Sequence, residues 1–232
     1  MRRHLALAMW CALVLLLCAL TVPAGSAIGR PARHKRCALP RHARVLASSR
    51  LAVVYLAFSS SEAEDAPAVG CWRPTGRRTT IAYQVRSTQP VLESLVGLVR
   101  LSGPFVAAQR VSASPGHLGN LGGIDAYDLR SHKLVSCIDA KDTAFLELAV
   151  GEGGETAWIT TASDFSTTPS AAAAASVHSN DASGPRVLEQ GTTGRFSQLR
   201  IRHHVLTWQS AGQQRSLTLS PPAHATRNCT ST

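Results

Sequence analysis

The chain of 232 residues is short of aromatic residues (5%) and of charged ones (16%), has two methionines, and takes only three of its 24 basic residues as lysine. Few charges beside 44% hydrophobic residues exclude a chain disordered along its whole length. Beyond the N-terminus no apolar run approaches the ~18 residues that a membrane-crossing helix needs, which excludes a polytopic helical membrane protein. The GxSxG elbow, HExxH, the phosphate-binding P-loop, GxGxxG and the EF-hand loop are all missing. Cysteines nowhere stand in a CxxC or Cys/His cluster, so neither a metal-ligand set nor a cofactor is expected, and no catalytic residue is assigned. Helix signals are scarce too, because no long segment combines a 3.6-residue period with caps.

What is present begins with a leader. Arg2 and Arg3 precede an apolar stretch from Leu5 to Val22, and Ala24-Gly-Ser-Ala27 offers small residues where a signal peptidase needs them. Residues 1–27 are therefore expected to be a signal peptide, and the protein to be secreted or associated with the cell envelope. The alternative is a single uncleaved N-terminal membrane anchor, since the stretch is 18 residues long, at the short edge of a span.

The formal charge of +10 is concentrated in one place. Residues 28–50 carry Arg30, Arg33, Lys35, Arg36, Arg41, Arg44 and Arg50 and no acid, whereas from residue 51 onward 15 basic residues face 14 acidic ones. A basic arm over residues 28–44 is expected to lie against an anionic cell-wall polymer or membrane surface, or to be a solvated leader. It has no aromatic residue to stack a base, so no specific nucleic-acid partner is expected.

Cys11 and Cys18 belong to the leader, leaving Cys37, Cys71, Cys137 and Cys229. An even count in an oxidising compartment predicts two disulfides, with three connectivities open and free thiols the alternative in a reducing one. Cys37 with Cys71 and Cys137 with Cys229 is the expected pairing, because each bond would tie a terminal segment to the body, for roughly 3 to 5 kcal/mol in the chain-entropy model.

Between residues 45 and 220 the apolar segments are short, β-branched or alternating, and bounded by Gly, Pro or Ser, which is the strand pattern. Val91 to Leu101 is the one segment with a partial helical period, and Gly97 and Gly103-Pro104 turn it toward a strand. An apolar run, a turn and a second apolar run recur four times, and aligning Tyr55, Ala107, Trp158 and Trp208 gives spacings of 52, 51 and 50 residues. A hairpin-like element follows each unit: residues 70–81, 124–134, 185–190 and, after the fourth, a strand at 213–219. Four strands in about 50 residues is the size of a propeller blade. The fold class is therefore all-β, with about four blade-like antiparallel repeats of ~51 residues, propeller-like, and a β-sandwich as the alternative. Residues 161–184, rich in Ser, Thr and Ala, are expected to be a mobile loop, and 221–232 a loop-like tail.

Gly-Ile-Asp-Ala-Tyr-Asp-Leu-Arg (123–130), Glu-Thr-Ala-Trp-Ile (155–159), Arg-Val-Leu-Glu-Gln-Gly (186–191) and the 206–219 segment resemble exported actinobacterial proteins of unknown function with TolB-like or WD40-like repeats. The resemblance covers most of the chain after the leader. It implies architecture and export and carries no catalytic residue. Ala107-Ala108 stands where an aromatic often follows the second unit.

Few residues suggest chemistry. His203 and His204 are expected in a strand, facing opposite ways; Asp125 with Asp128 and Asp139 with Asp142 are read as turn formers, and the glycines at 116, 119, 122 and 123 as a connector. Asp128 with Asp139 or Glu147 is the carboxylate pair a glycosidase would need within about 10 Å. Trp72, Trp158 and Trp208 are expected in the core rather than on a sugar-stacking surface. The function expected is that of an exported non-enzymatic binding or envelope-associated β-repeat protein of unknown ligand. The alternative is an extracellular carbohydrate-active or other hydrolase with its site at the repeat axis.

Overall fold

The structure is a computed structural model in which residues 37–61, 63, 65–86, 93–114, 117–141, 143–162, 170–222 and 226–228 are described. The leader, most of the basic arm, Asp142 and Cys229 lie outside the described residues. Among the described residues no helix is long and apolar enough to cross a membrane.

The chain is all-β and runs through four successive antiparallel sheets. The first holds β1 (Ala43–Ser48), β2 (Ala52–Ala57), β3 (Ala66–Trp72) and β4 (Arg77–Arg86). The second holds β5 (Glu93–Ser102), β6 (Phe105–Ser114), β7 (His117–Asp128) and β8 (Lys133–Lys141), joined to the first where Val85 and Arg86 pair with Ser94 and Glu93. The third holds β9 (Ala144–Val150), β10 (Thr156–Thr161), β11 (Ala174–Asp181) and β12 (Gly184–Thr192). The fourth holds β13 (Phe196–Arg202), β14 (Val205–Ser210) and β15 (Gln213–Thr218). Their first strands begin at Ala43, Glu93, Ala144 and Phe196, so the period of about 51 residues is one sheet. Tyr55, Ala107, Trp158 and Trp208 each fall in the second strand of their sheet.

Sheets stack because each presents an apolar face. β1 lies against β5, β5 against β9, and β9 against β13, giving the blade-like succession. Three apolar clusters fill the interior: one around Val54, Leu56, Val106 and Leu129; one around Ile124, Phe145, Leu148 and Trp158; and one around Ile159, Val177, Leu206 and Trp208. Trp72, Trp158 and Trp208 are all buried in these clusters. Ala107 and Ala108 are fully buried in β6, so small residues there keep the second sheet and let its neighbours come close.

Bulges are pinned by side chains that satisfy the backbone they free. The β5 register shifts between Val96 and Val99, and the Leu98 N–H donates to Gln109 Oε1 at 3.0 Å. In β13 the shift lies between Ser197 and Arg200, where Gln198 has φ 59° and the N–H groups of Gln198 and Leu199 donate to Glu147 at 3.1 and 2.7 Å. Glu189 on β12 ties the third sheet to the fourth by accepting from Trp208 Nε1, Ser210 Oγ and Arg195.

Several expectations are corrected. The stretch 161–184 is no single loop: Ala174–Asp181 is β11, because Ala175 and Val177 alternate into the core and the strand is paired on both edges. The repeat domain begins at Ala43 rather than residue 45, so Arg44 of the expected arm is in a strand. The tail 221–232 contributes β16 (Thr226–Asn228), which pairs parallel with residues 136–138 of β8. Gly119, Gly122 and Gly123 lie in β7, not in a connector, and Gly123 is required there: a Cβ would stand 2.6 Å from both the Arg110 guanidinium and the Ile138 carbonyl.

Cys37 and Cys71 form a disulfide. Cys137 is also half of a disulfide, and Arg227 of β16 stands opposite it in register. The expected partner, Cys229, lies outside the described residues.

Candidate functional site

The facing sides of the second and third sheets differ along their length. On β10 the residues Thr156, Trp158 and Thr160 alternate onto one face, and in β11 Asn180, His178 and Ser176 stand opposite them. Ser136 and Ile138 of β8 share a face in the same way. Ile138 and Trp158 belong to one apolar cluster, so this is where the two sheets meet.

A groove of about 500 Å3 opens at this junction, lined by Ile138, Asp139, Thr143, Thr160, His178 and Arg186, with Trp158, Pro185 and Val187 beside them. That volume lies in the range of small-molecule pockets. The Trp158 and His178 rings stack at 5.2 Å with 3° between their planes. His178 Nε2 is 2.9 Å from Thr160 Oγ1. Burial disfavours the imidazolium and pushes the His178 pKa below its ordinary value, so near neutral pH the ring is uncharged and can accept from the threonine. Val187 at the groove is 51% exposed.

The two charges at the groove are answered inside the protein. Arg186 donates to Asp181 Oδ2 at 3.0 Å, and Asp181 also accepts from the N–H groups of Ser183 and Ser220. Asp139 accepts from Arg110 at 3.0 Å, and the same guanidinium reaches Asp125 at 2.9 Å. Burial raises the Asp125 pKa and outweighs the pull of Arg110; burial also works against the Arg110 charge, but the two carboxylates outweigh it and hold its pKa up. Buried polar atoms without a hydrogen-bond partner among the described residues include Asp125 Oδ1, Thr143 Oγ1, Thr156 Oγ1, Ser136 Oγ and both amide atoms of Asn180.

Asp125 and Asp139 are strand residues in an ion-pair cluster, not turn formers, because β7 and β8 bring them to one side of the pairing beside Arg110. Asp128 does form a turn, accepting from the Arg130 N–H at 2.9 Å. Burial would raise the Asp128 pKa, but the hydrogen bonds from Arg130 outweigh it and leave it lowered. The proposed carboxylate pair does not converge. Asp139 stands opposite Gly123 in β7, five residues from Asp128, about 16 Å at the rise of a strand. Glu147 is occupied by the bulge of β13.

His203 and His204 occupy the hairpin turn between β13 and β14, with φ of 48° and 63°, rather than a strand. His204 Nδ1 pairs with Glu155, whose carboxylate is fully buried and also accepts from the Gly153 N–H at 3.1 Å. The Gly151-Glu-Gly-Gly154 run makes room for that carboxylate: a Cβ on Gly153 would stand 3.0 Å from it. This pair latches two hairpins together and does not line the groove.

The sequence pointed to His203, His204 and the aspartates but not to His178 or Thr160, which line the groove. Their one signal was polar residues at core-facing positions of an otherwise alternating strand, legible only once register is known. Among the described residues no group of three His, Cys, Asp or Glu side chains is placed to hold a metal ion. No family model, no curated protein and no solved structure matches the chain.

Proposed function

We propose that this protein is an exported, non-enzymatic binding module that takes its ligand in the groove between the second and third sheets and is kept near the cell envelope by its basic arm. The observation that carries the reading is the groove: a concave site with one ring stack, two aliphatic walls and hydroxyls, whose charged groups are already paired within the protein. The His–carboxylate pair that an enzyme reading would call on, His204 with Glu155, stands elsewhere as a latch. Export is supported by the leader pattern of residues 1–27 and by the Cys37–Cys71 disulfide, a bond that persists in oxidising compartments. The resemblance to exported proteins with TolB-like or WD40-like repeats supports the same compartment.

Sedimentation of the secreted protein with isolated cell-envelope material tests this. Wild type is expected to co-sediment, and in high salt, which screens the basic arm, Val187→Glu, which places a charge at the exposed groove wall, is expected to remain in the supernatant. Equal sedimentation of both would overturn the groove as the site. Failure of the wild type to sediment would overturn envelope association.

A further inference from the structure

Resting on envelope association, we infer that the hairpin end of the first sheet is a docking surface for an anionic phospholipid bilayer, made by Arg50, Arg73, Arg77 and Arg78 together with the exposed Leu39 and Leu51. Antiparallel pairing brings these residues to one end. Ala52, which opens β2, stands opposite Trp72, which closes β3, so the β1–β2 and β3–β4 turns lie side by side. The Arg73 N–H donates to the Leu51 carbonyl at 2.8 Å across them, and Arg77, at the start of β4, stands opposite Trp72. Arg78 stands opposite Cys71 and donates at 2.9 Å to the carbonyl of Ala38, next to Leu39 in the chain.

The positive charge gathered here is not answered inside the protein. Arg50, Arg77 and Arg78 are exposed and Arg73 is half-buried. Among the described residues none of the four is in an ion pair, and the groups that Arg73 and Arg78 do reach are neutral, the Ser48 hydroxyl and the Ala38 carbonyl. Elsewhere the arginines Arg110, Arg130, Arg186 and Arg195 each face a carboxylate. From residue 28 to 92 the only acids are Glu62, Glu64 and Asp65, which belong in sequence to the β2–β3 connection. Asp65 is at the other end of the sheet, because β3 runs from Ala66 there to Trp72 here. The Cys37–Cys71 bond fastens the root of the basic arm to the same end, since Lys35 and Arg36 immediately precede Cys37 in the chain.

The leucines favour a bilayer over a soluble polyanion. Leu39 is 46% exposed and Leu51 39%, two of the five large apolar residues left in water among the described residues. A single exposed leucine is ordinary on a protein surface. Two of them beside four arginines without carboxylates match what an anionic interface takes: apolar side chains enter the boundary of headgroup and acyl chain, and guanidinium groups meet the lipid phosphates. A soluble polymer of phosphates would engage the arginines and leave both leucines in water.

Flotation of the secreted, disulfide-bonded chain with vesicles decides it, using equal parts of phosphatidylcholine and phosphatidylglycerol, phosphatidylcholine alone as the neutral surface, and polyphosphate as the soluble anion. The variants are Arg50→Gln with Arg77→Gln, and Leu51→Gln, all at exposed positions, with the melting temperature as the check on folding. Wild type is expected to float with the anionic vesicles and not with the neutral ones. Loss of the two arginines should weaken vesicle binding on the order of tenfold or more. Leu51→Gln should weaken vesicle binding and leave polyphosphate binding unchanged. Should the arginine variant fail to fold, Leu51→Gln with Leu39→Gln reads the same surface. Equal flotation of the arginine variant and wild type would overturn the surface and assign binding to the arm alone. Polyphosphate binding with Leu51→Gln equal to wild type on vesicles would overturn the bilayer in favour of a soluble polymer. A wild type that sediments with envelope material but ignores anionic vesicles would overturn the inference and leave envelope association standing.

Discussion

Replacing both Cys37 and Cys71 by alanine removes a crosslink that closes a loop with a sequence separation of 34. In the chain-entropy model a loop of that length restricts the unfolded ensemble by about 4 kcal/mol. The native contribution is smaller but not absent, because Cys71 is fully buried and packs with Val53 and Tyr55. For a domain of this size about 4 kcal/mol corresponds to a fall in Tm of roughly 8–16 °C. The segment ahead of β1 has little else to hold it, namely the Ala43 N–H to the Pro40 carbonyl and the Arg78 guanidinium to the Ala38 carbonyl. Calorimetric melting of the two proteins measures the shift, and urea titration tests its origin. A looser unfolded state exposes more surface, so the m-value should rise in the double variant. A Tm within about 2 °C of wild type would refute the reasoning and place residues 37–42 outside the cooperative unit.

Two further outcomes are expected. Gly123→Ala should destabilise by about 1–3 kcal/mol, because the new methyl meets the Ile138 carbonyl at 2.6 Å and backbone cannot step aside; chemical denaturation reads it, and an unchanged midpoint would contradict the close approach of β7 and β8. His178, whose pKa burial lowers, binds fewer protons folded than unfolded, so its contribution is complete above the unfolded value of about 6.5 and is lost as pH falls below it. Tm of the wild type should therefore drop between pH 7 and 5 more steeply than that of His178→Gln, and parallel curves would show that the ring is not shielded.

How far residues announce their place depends on whether the signal is local. The period of about 51 residues was legible because each sheet repeats the same alternation of apolar strand and turn, and Tyr55, Trp158 and Trp208 mark the same strand each time. The Ala174–Asp181 strand was not legible, since the five consecutive alanines at 171–175 carry no β preference and only pairing with both neighbours draws the last two of them into a strand. Asp125 reads as a turn former next to Asp128, yet one lies buried beside Arg110 and the other caps a hairpin; three residues along a strand change the surroundings completely.

The amino-acid sequence by itself determined the all-β class, the repeat, the buried tryptophans and the Cys37–Cys71 bond, since each follows from composition, short-range pattern or a choice among a few pairings. Only the tertiary structure decided which polar residues matter. His178, Thr160 and Trp158 become one site with Ile138 through the register of β10, β11 and β8 and the stacking of two sheets, and a shift of one residue in that register would have sent every one of them to the other face.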